Sequence, residues 1–247
     1  MSLGWEFYAT ELDGDPIGLL VDLDIPRGTH PELRTLCRLH VPMPRPLTTG
    51  LTSEHDFGTL EKLEDGIDEA AGALGGRFVG RISYRKEWVF YLFLPKEEGA
   101  QAALERVVKG CGLARAELDL EEDPEWRQYH EFLYPFPVTM RHILNRRIVA
   151  AMKESGDEPS AVRPMVHEVE FPSREAAEPV RSAALERKYP TELVPSGNGV
   201  TLRITKEIQL DVDSIDRTSV SLMRLSEKHG GRYIGWSCVQ AAENTVP

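Results

Sequence analysis

The sequence predicts an α+β protein built as two tandem domains, and three observations carry that expectation. The first is a near copy: Leu74-Gly75-Gly76-Arg77-Phe78-Val79-Gly80 returns within Leu225-Ser226-Glu227-Lys228-His229-Gly230-Gly231-Arg232-Tyr233-Ile234-Gly235-Trp236, where Gly230 stands 155 residues beyond Gly75. The second is the setting of that copy. Apolar residues at helical spacing (Leu60, Leu63, Ile67, Ala70, Leu74; then Ile215, Leu222, Leu225) run through a glycine pair into alternating residues, the mark of a helix turning into a strand. The third is length: 247 residues exceed the usual single domain and leave about 100 to 140 for each of two. Glycine just past the last helical turn is the expected stop, because it enters the left-handed conformation without a Cβ penalty. Gly80 and Gly235 fall inside the strands, where glycine marks a bulge or the close approach of another backbone. A phosphate-binding loop needs strand, glycines and then helix; the order here is reversed, so both copies read as structural turns.

Taken in order, Trp5 to Leu12 alternates apolar and polar residues, and Asp13-Gly14-Asp15-Pro16 turns the chain into Ile17 to Ile25, a hairpin. Beyond the proline-rich Pro26 to Pro31, Leu33 to Val41 alternates as a strand ended by Pro42. A helix is expected from Ser53, an N-cap, to Leu74, weakened by Gly66 and Gly72. Arg77 to Tyr84 and Trp88 to Pro95 flank the polar joint Arg85-Lys86-Glu87; a helix over Glu97 to Lys109 stops at Gly110 and Gly112, and Leu113 to Leu120 alternates again. From Leu33 onward this is the β-α-β-β-α-β order of the ferredoxin-like plan, with an extra N-terminal hairpin. Such a plan packs two helices on one face of an antiparallel sheet, which suits half-buried alternating strands.

The first domain is therefore placed at residues 1–136. Its end carries an acidic run from Glu121 and then Trp126, Tyr129, Phe132 and Leu133 at spacings of three and four, a short helix whose aromatic stripe is expected to pack in a core. Residues 137–161 read as an amphipathic helix and linker. Met140, Ile143, Leu144 and Ile148 form one face and Arg141, Asn145, Arg146, Arg147 and Lys153 the other. That basic face reads as solvated surface, ahead of docking on the acidic first domain or on an acidic partner. The second domain, 162–247, repeats the plan. Met165 to Phe171 is a strand, and Ser173 caps a helix through Lys188 that Pro179 is expected to shift or kink. Thr191 to Pro195 and Gly199 to Gln209 form a hairpin around Ser196-Gly197-Asn198-Gly199, followed by a helix from Asp213 to His229 and a strand from Arg232 to Ala242.

With 41% hydrophobic and 28% charged residues, the composition is that of an ordinary globular protein, and no apolar run approaches the roughly 18 residues of a membrane span. No secretory signal is recognisable at the start. Cys37, Cys111 and Cys238 are odd in number and lack paired spacing, which fits free thiols in a reducing compartment, the cytoplasm. Charge is uneven: residues 1–136 hold 25 acidic against 14 basic side chains, and 137–247 hold 15 of each. An acidic half repels phosphates, so direct nucleic-acid binding is not expected of it, and a protein partner with a basic segment or plain solubility accounts for the charge.

No catalytic signature emerges. There is no Gly-x-Ser-x-Gly, and His130-Glu131-Phe132-Leu133-Tyr134 has tyrosine where the second zinc histidine must fall. No metal, cofactor or catalytic residue is expected, and the seven histidines, His167 among them, read as structural or surface. Strict alternation puts Arg232, Ile234 and Trp236 on one face and Tyr233, Gly235 and Ser237 on the other. With Ile234 and Trp236 inward, Tyr233 beside Gly235 makes a shallow slot on the open sheet for a partner. Arg232 and the acidic Glu121, Glu122 and Asp123 complete the candidate binding set.

Closing on Leu222-x-x-Leu225-x-x-x-x-Gly230-Gly231-x-Tyr233-x-Gly235-Trp236, the second domain resembles the bacterial family regulator of ribonuclease E activity B (RraB) over about Val162 to Ala242. His167-x-Val169-x-Phe171 and Ala176-Ala177 resemble that family's first strand and helix, while the aspartate common before its last glycine is Ile234 here. The first domain, from Trp5-x-x-Tyr8 and Asp13-Gly14-x-Pro16 through Gly75–Gly80 to Asp123-x-x-Trp126-x-x-Tyr129-x-x-x-Leu133-x-Pro135, resembles domain-of-unknown-function family 695 over about Gly4 to Pro135. That family brings no activity and can precede an RraB-like domain in one chain. The RraB resemblance implies a non-enzymatic regulator that binds a degradative endoribonuclease or its complex and lowers RNA cleavage. Two rivals predict different geometry: an enzyme needs a deep interdomain cleft with converging titratable groups, and a small-ligand sensor needs an apolar pocket over the open sheet.

Overall fold

A computed structural model describes residues 4–26, 30–158, 161–197 and 199–239. Arg27 to Thr29 of the proline-rich stretch, Pro159 and Ser160 of the expected linker, Asn198 of the hairpin turn and the expected strand end beyond Val239 lie outside them. The chain divides into two compact units, Met1–Tyr134 and Pro135–Pro247.

In the first unit the order is β1 (Trp5–Leu12), β2 (Asp15–Asp22), β3 (Thr35–Pro42), α1 (Phe57–Ala73), β4 (Arg77–Tyr84), β5 (Glu87–Leu94), α2 (Ala100–Gly110) and β6 (Glu117–Glu122). These strands form one antiparallel sheet in the order β1-β2-β4-β5-β3-β6. The last strand begins four residues later than its alternation predicts, because pairing with β3 starts only where Glu117 meets His40. Leu63, Ile67 and Leu104 of the helices close over Leu39, Phe90 and Leu92, each burial contributing about 1.5–3 kcal/mol. Gly66, unfavourable by helix propensity, lets the helices touch: a Cβ there would stand 2.7 Å from Val107 Cγ1.

The opposite face of this sheet is covered by the aromatic segment that follows β6. The Trp126 ring stacks on Phe93 with centroids 4.0 Å apart, and its indole N–H donates to Leu33 O at 2.8 Å. Tyr129 donates its hydroxyl to Asp22 O at 2.5 Å, and Tyr8 donates to Leu133 O at 2.7 Å. The packing expected of the stripe is what these contacts describe, with Gln128–Leu133 wound as a short π-type helix.

The second unit holds α3 (Pro137–Glu154), β7 (Arg163–Phe171), α4 (Arg174–Glu186), β8 (Thr191–Ser196), β9 (Gly199–Ile208), α5 (Val212–Lys228) and β10 (Arg232–Cys238). Its antiparallel sheet runs β10-β7-β9-β8, with Val169, Leu202 and Ile204 packed under Val180, Ala184 and Met223. Helix α4 starts directly after the Ser173 cap and runs through Pro179, which therefore does not shift its start. Helix α3 belongs to this unit, and the polar face expected to be solvated is partly an attachment surface. Asn145 is fully buried; its Nδ2 donates to Ser219 Oγ (2.8 Å) and Asp216 Oδ1 (2.7 Å), and its Oδ1 accepts from Trp236 Nε1 (2.9 Å). A buried amide with most of its hydrogen-bonding capacity filled is a directional tie between α3, α5 and β10.

Both glycine-rich copies build one device. Gly75 N–H donates to Gly72 O and Gly76 N–H to Ala71 O, and Gly230 and Gly231 repeat this to Glu227 O and Ser226 O. Gly75 and Gly230 take φ of 74° and 72°, the left-handed stop that closes a helix with its last carbonyls satisfied. Each following strand then bulges, between Phe78 and Gly80 and between Tyr233 and Gly235. The two devices occupy different steps of the β-α-β-β-α-β series, first helix to second strand in one unit and second helix to fourth strand in the other. What repeats is a junction from a helix to an outer strand of the four-stranded set, not a whole domain in register.

Candidate functional site

The bulge decides which way the candidate residues face. Tyr233 pairs with Val169, Gly235 with Glu168 and Trp236 with His167, leaving Ile234 as the extra residue. One inserted residue resets the alternation, so Tyr233 and Trp236 both turn toward the helices and the expected open-face slot at Tyr233 does not exist. Tyr233 is only 7% exposed, whereas Ile234 is 37% exposed. The Tyr233 hydroxyl lies 2.8 Å from His167 Nδ1, and the Arg141 guanidinium sits 4.8 Å over its ring while donating to Ile234 O. Burial raises the Tyr233 phenol well above its ordinary pKa, opposed by Arg141. Gly235 serves the bulge; a Cβ there would meet only Arg141 Nη1, at 3.7 Å.

The remaining candidates fall in separate places. Arg232 is exposed and pairs with Glu170 at 2.5 Å. It belongs to the sheet face turned away from α4 and α5, where Arg203 also bridges Glu168 (2.9 Å) and Glu192 (3.4 Å). Exposed pairs of this kind add about 0–1 kcal/mol each, so the charged face does little for stability. In the first unit Glu121 pairs with Arg38 at 2.9 Å, and Glu122 is exposed. Asp123 is buried, its carboxylate accepting from the Arg127 and Gln128 N–H groups at 2.9 Å, which assigns it to local structure. All three line a shallow depression of about 280 Å³.

One feature of the second unit has no counterpart in the sequence-based expectations. Between α4 and α5, over β7 and β9, lies a cavity of about 520 Å³. Val180, Ala184, Ile204 and Leu222 supply apolar wall, and Lys206, Arg187 and Arg217 supply cationic groups. His167 is fully buried at this cavity; Nδ1 faces Tyr233, and Nε2 has no partner among the described residues. Burial, with smaller contributions from Lys206 and Arg141, lowers the His167 pKa to about 4, so the imidazole is neutral near pH 7. A signal existed in the sequence: His167 occupies an inward position between Met165 and Val169, where the alternation asks for an apolar residue. Among the described residues, no group of three or more His, Cys, Asp or Glu could hold a metal ion. None of the described helices is long and apolar enough to cross a membrane.

The sequence model of a family of unknown function, DUF695, matches residues 4–134, more than half of the chain. The chain belongs to that family. Residues 142–238 match the model for Regulator of ribonuclease activity B, a span that takes in most of α3 as well as the strands and helices after it. Among solved structures, one described as a glycine cleavage system transcriptional repressor is 10% identical, covering 84% of this chain and 98% of its own, with a TM-score of 0.26. Another, an unknown protein from Galdieria sulphuraria, is 13% identical, covering 85% and 99%, with a TM-score of 0.21. Scores this low carry no argument here. No curated protein matches the chain.

Proposed function

We propose that this DUF695 chain is a non-enzymatic regulatory protein of the cytoplasm whose RraB-like unit binds a ribonuclease, or a complex containing one, and tunes RNA degradation. The observation that carries the reading is the match of residues 142–238 to Regulator of ribonuclease activity B. It is supported by the sheet face that α4 and α5 leave open, where Glu168, Glu170, Arg203 and Arg232 set charges of both signs on neighbouring strands. A charge pattern that contributes little to folding is suited to selecting a partner and orienting it. The same reading takes both units as ferredoxin-like, supported by the strand orders β4-β5-β3-β6 and β10-β7-β9-β8 and by antiparallel pairing throughout.

The test is RNA cleavage by the endoribonuclease of the source organism, with and without this protein, beside a direct binding titration of the two. The expected result is slower cleavage and a stable complex. Arg203→Glu with Arg232→Glu should weaken that complex at least about tenfold while lowering the melting temperature only slightly, since the new carboxylates face Glu168, Glu192 and Glu170 on a solvent-screened surface. No complex and no change in cleavage rate would remove the ribonuclease reading; a complex indifferent to the charge reversals would remove the open face as its surface.

A further inference from the structure

The cavity between α4 and α5 has a composition that packing alone does not account for. Its lining holds three cations, Arg187, Lys206 and Arg217, against one carboxylate, Glu207. Among the described residues none of these cations has a carboxylate within ion-pair distance. Arg187 donates to Ala183 O, Arg217 to Ser214 Oγ, and Lys206 to Thr218 Oγ1 at 2.9 Å. Lys206 is half-buried on β9 and also sits 5.7 Å over the Tyr189 ring. A half-buried ammonium with no carboxylate at ion-pair distance is costly, and the cost is relieved when an anion enters.

His167 supplies the second, independent observation. The Tyr233 hydroxyl has one described partner, His167 Nδ1, and a phenol is a good donor. Donation from Tyr233 to Nδ1 leaves the neutral ring's proton on Nε2, the buried nitrogen without a partner among the described residues. A fully buried side chain at a cavity wall with a free donor asks for an acceptor, because an unsatisfied buried polar group costs about 1–3 kcal/mol. The rest of the wall is apolar, so the acceptor is expected to carry an apolar body.

We infer that the cavity between α4 and α5 binds a small organic anion, its carboxylate or phosphate head held by Lys206, the two arginines and His167 Nε2–H, and its apolar body against Val180, Ile204 and Leu222. A volume of about 520 Å³ is of the size that ligand pockets commonly have. This site lies under the helices, on the face of the sheet opposite the charged ladder, and does not depend on the ribonuclease reading.

The experiment uses the full chain with octanoate as the probe, n-octylammonium as the charge-reversed control and inorganic phosphate as head alone. Imidazole ¹⁵N resonances of His167 are followed during titration, together with thermal unfolding. Expected are a saturable shift of the Nε2 signal and a rise in melting temperature with octanoate, and neither with n-octylammonium. Lys206→Met should weaken octanoate at least about tenfold, or about 1.4 kcal/mol, and Arg217→Gln, at an exposed residue that leaves the core untouched, should weaken it in the same direction. Absence of a saturable His167 shift with octanoate overturns the proposal. So does octanoate binding as strong in both Lys206→Met and Arg217→Gln as in the unsubstituted chain, and so does phosphate binding without octanoate binding, which removes the apolar half of the site.

Discussion

Set side by side, the two units run the same β-α-β-β-α-β series and use the same glycine device, yet they finish their sheets in opposite ways. In the first, the bulged strand β4 takes β2 along its outer edge, and the segment carrying Trp126 and Tyr129 closes the second face. In the second, among the described residues, the bulged strand β10 has no strand on its outer edge; Arg141 of α3 donates to Ile234 O and Asn145 accepts from Trp236, and the second face carries charged side chains. The helix layers differ as well. Helices α1 and α2 touch at Gly66 and Val107, whereas α4 and α5 are separated by a cavity with cations and a histidine in its lining. A frame with both faces covered serves stability; one with an open face and an unfilled layer has places left for other molecules.

That contrast is broken most directly at Trp126. Trp126→Ala should destabilise the first unit by about 3–5 kcal/mol, seen as an early transition in chemical denaturation of the full chain, while the second unit's transition keeps its midpoint. If both transitions moved together, the two units would not be separable in stability.

Acid should act next, and through the second unit. His167 is neutral in the fold with its pKa lowered to about 4 against an ordinary 6.5, so the unfolded chain takes up that proton first as pH falls. Its contribution is complete above about pH 6.5 and is lost progressively down to about pH 4, a difference on the order of 3 kcal/mol. The check is stability against pH for wild type and His167→Gln; parallel curves between those values would contradict it.

The two bulge glycines differ in what surrounds them. At Gly80 a Cβ would stand 2.6 Å from Leu20 O, a backbone atom of the paired β2, whereas at Gly235 nothing but the end of Arg141 comes near. Gly80→Ala should therefore cost about 2 kcal/mol or more, and Gly235→Ala should stay within about 0.5 kcal/mol. Equal losses would mean that the bulge itself, and not the neighbouring strand, demands glycine. The smallest effect belongs to the open face: Arg203→Ala should change stability by less than about 1 kcal/mol in urea denaturation, since both of its ion pairs are exposed.

Local rules made much of this legible. The helix ends at Gly75 and Gly230 follow from the left-handed conformation, and the packing of Trp126, Tyr129 and Leu133 follows from their spacing. Of the candidate binding residues, Arg232, Glu121 and Glu122 could be placed at the surface by type alone, while Tyr233 and Asp123 went inside. Gly235 signalled a bulge, but which neighbours the bulge would turn inward depended on the register against β7. Asn145 looked like one polar residue among several on a basic helix face, and only the approach of Ser219 and Trp236 makes it a buried tie.

The order of elements, the helix stops and the apolar helix faces follow from the amino-acid pattern, because periodicity and the steric freedom of glycine act within a few residues of each position. That Tyr233 faces His167, that β4 gains a neighbour strand where β10 has side chains of α3, and that α4 and α5 leave space between them became visible only in the packed fold. Those outcomes depend on register across strands and on the distance between helices, which are set by contacts far apart in the chain and leave no period to read.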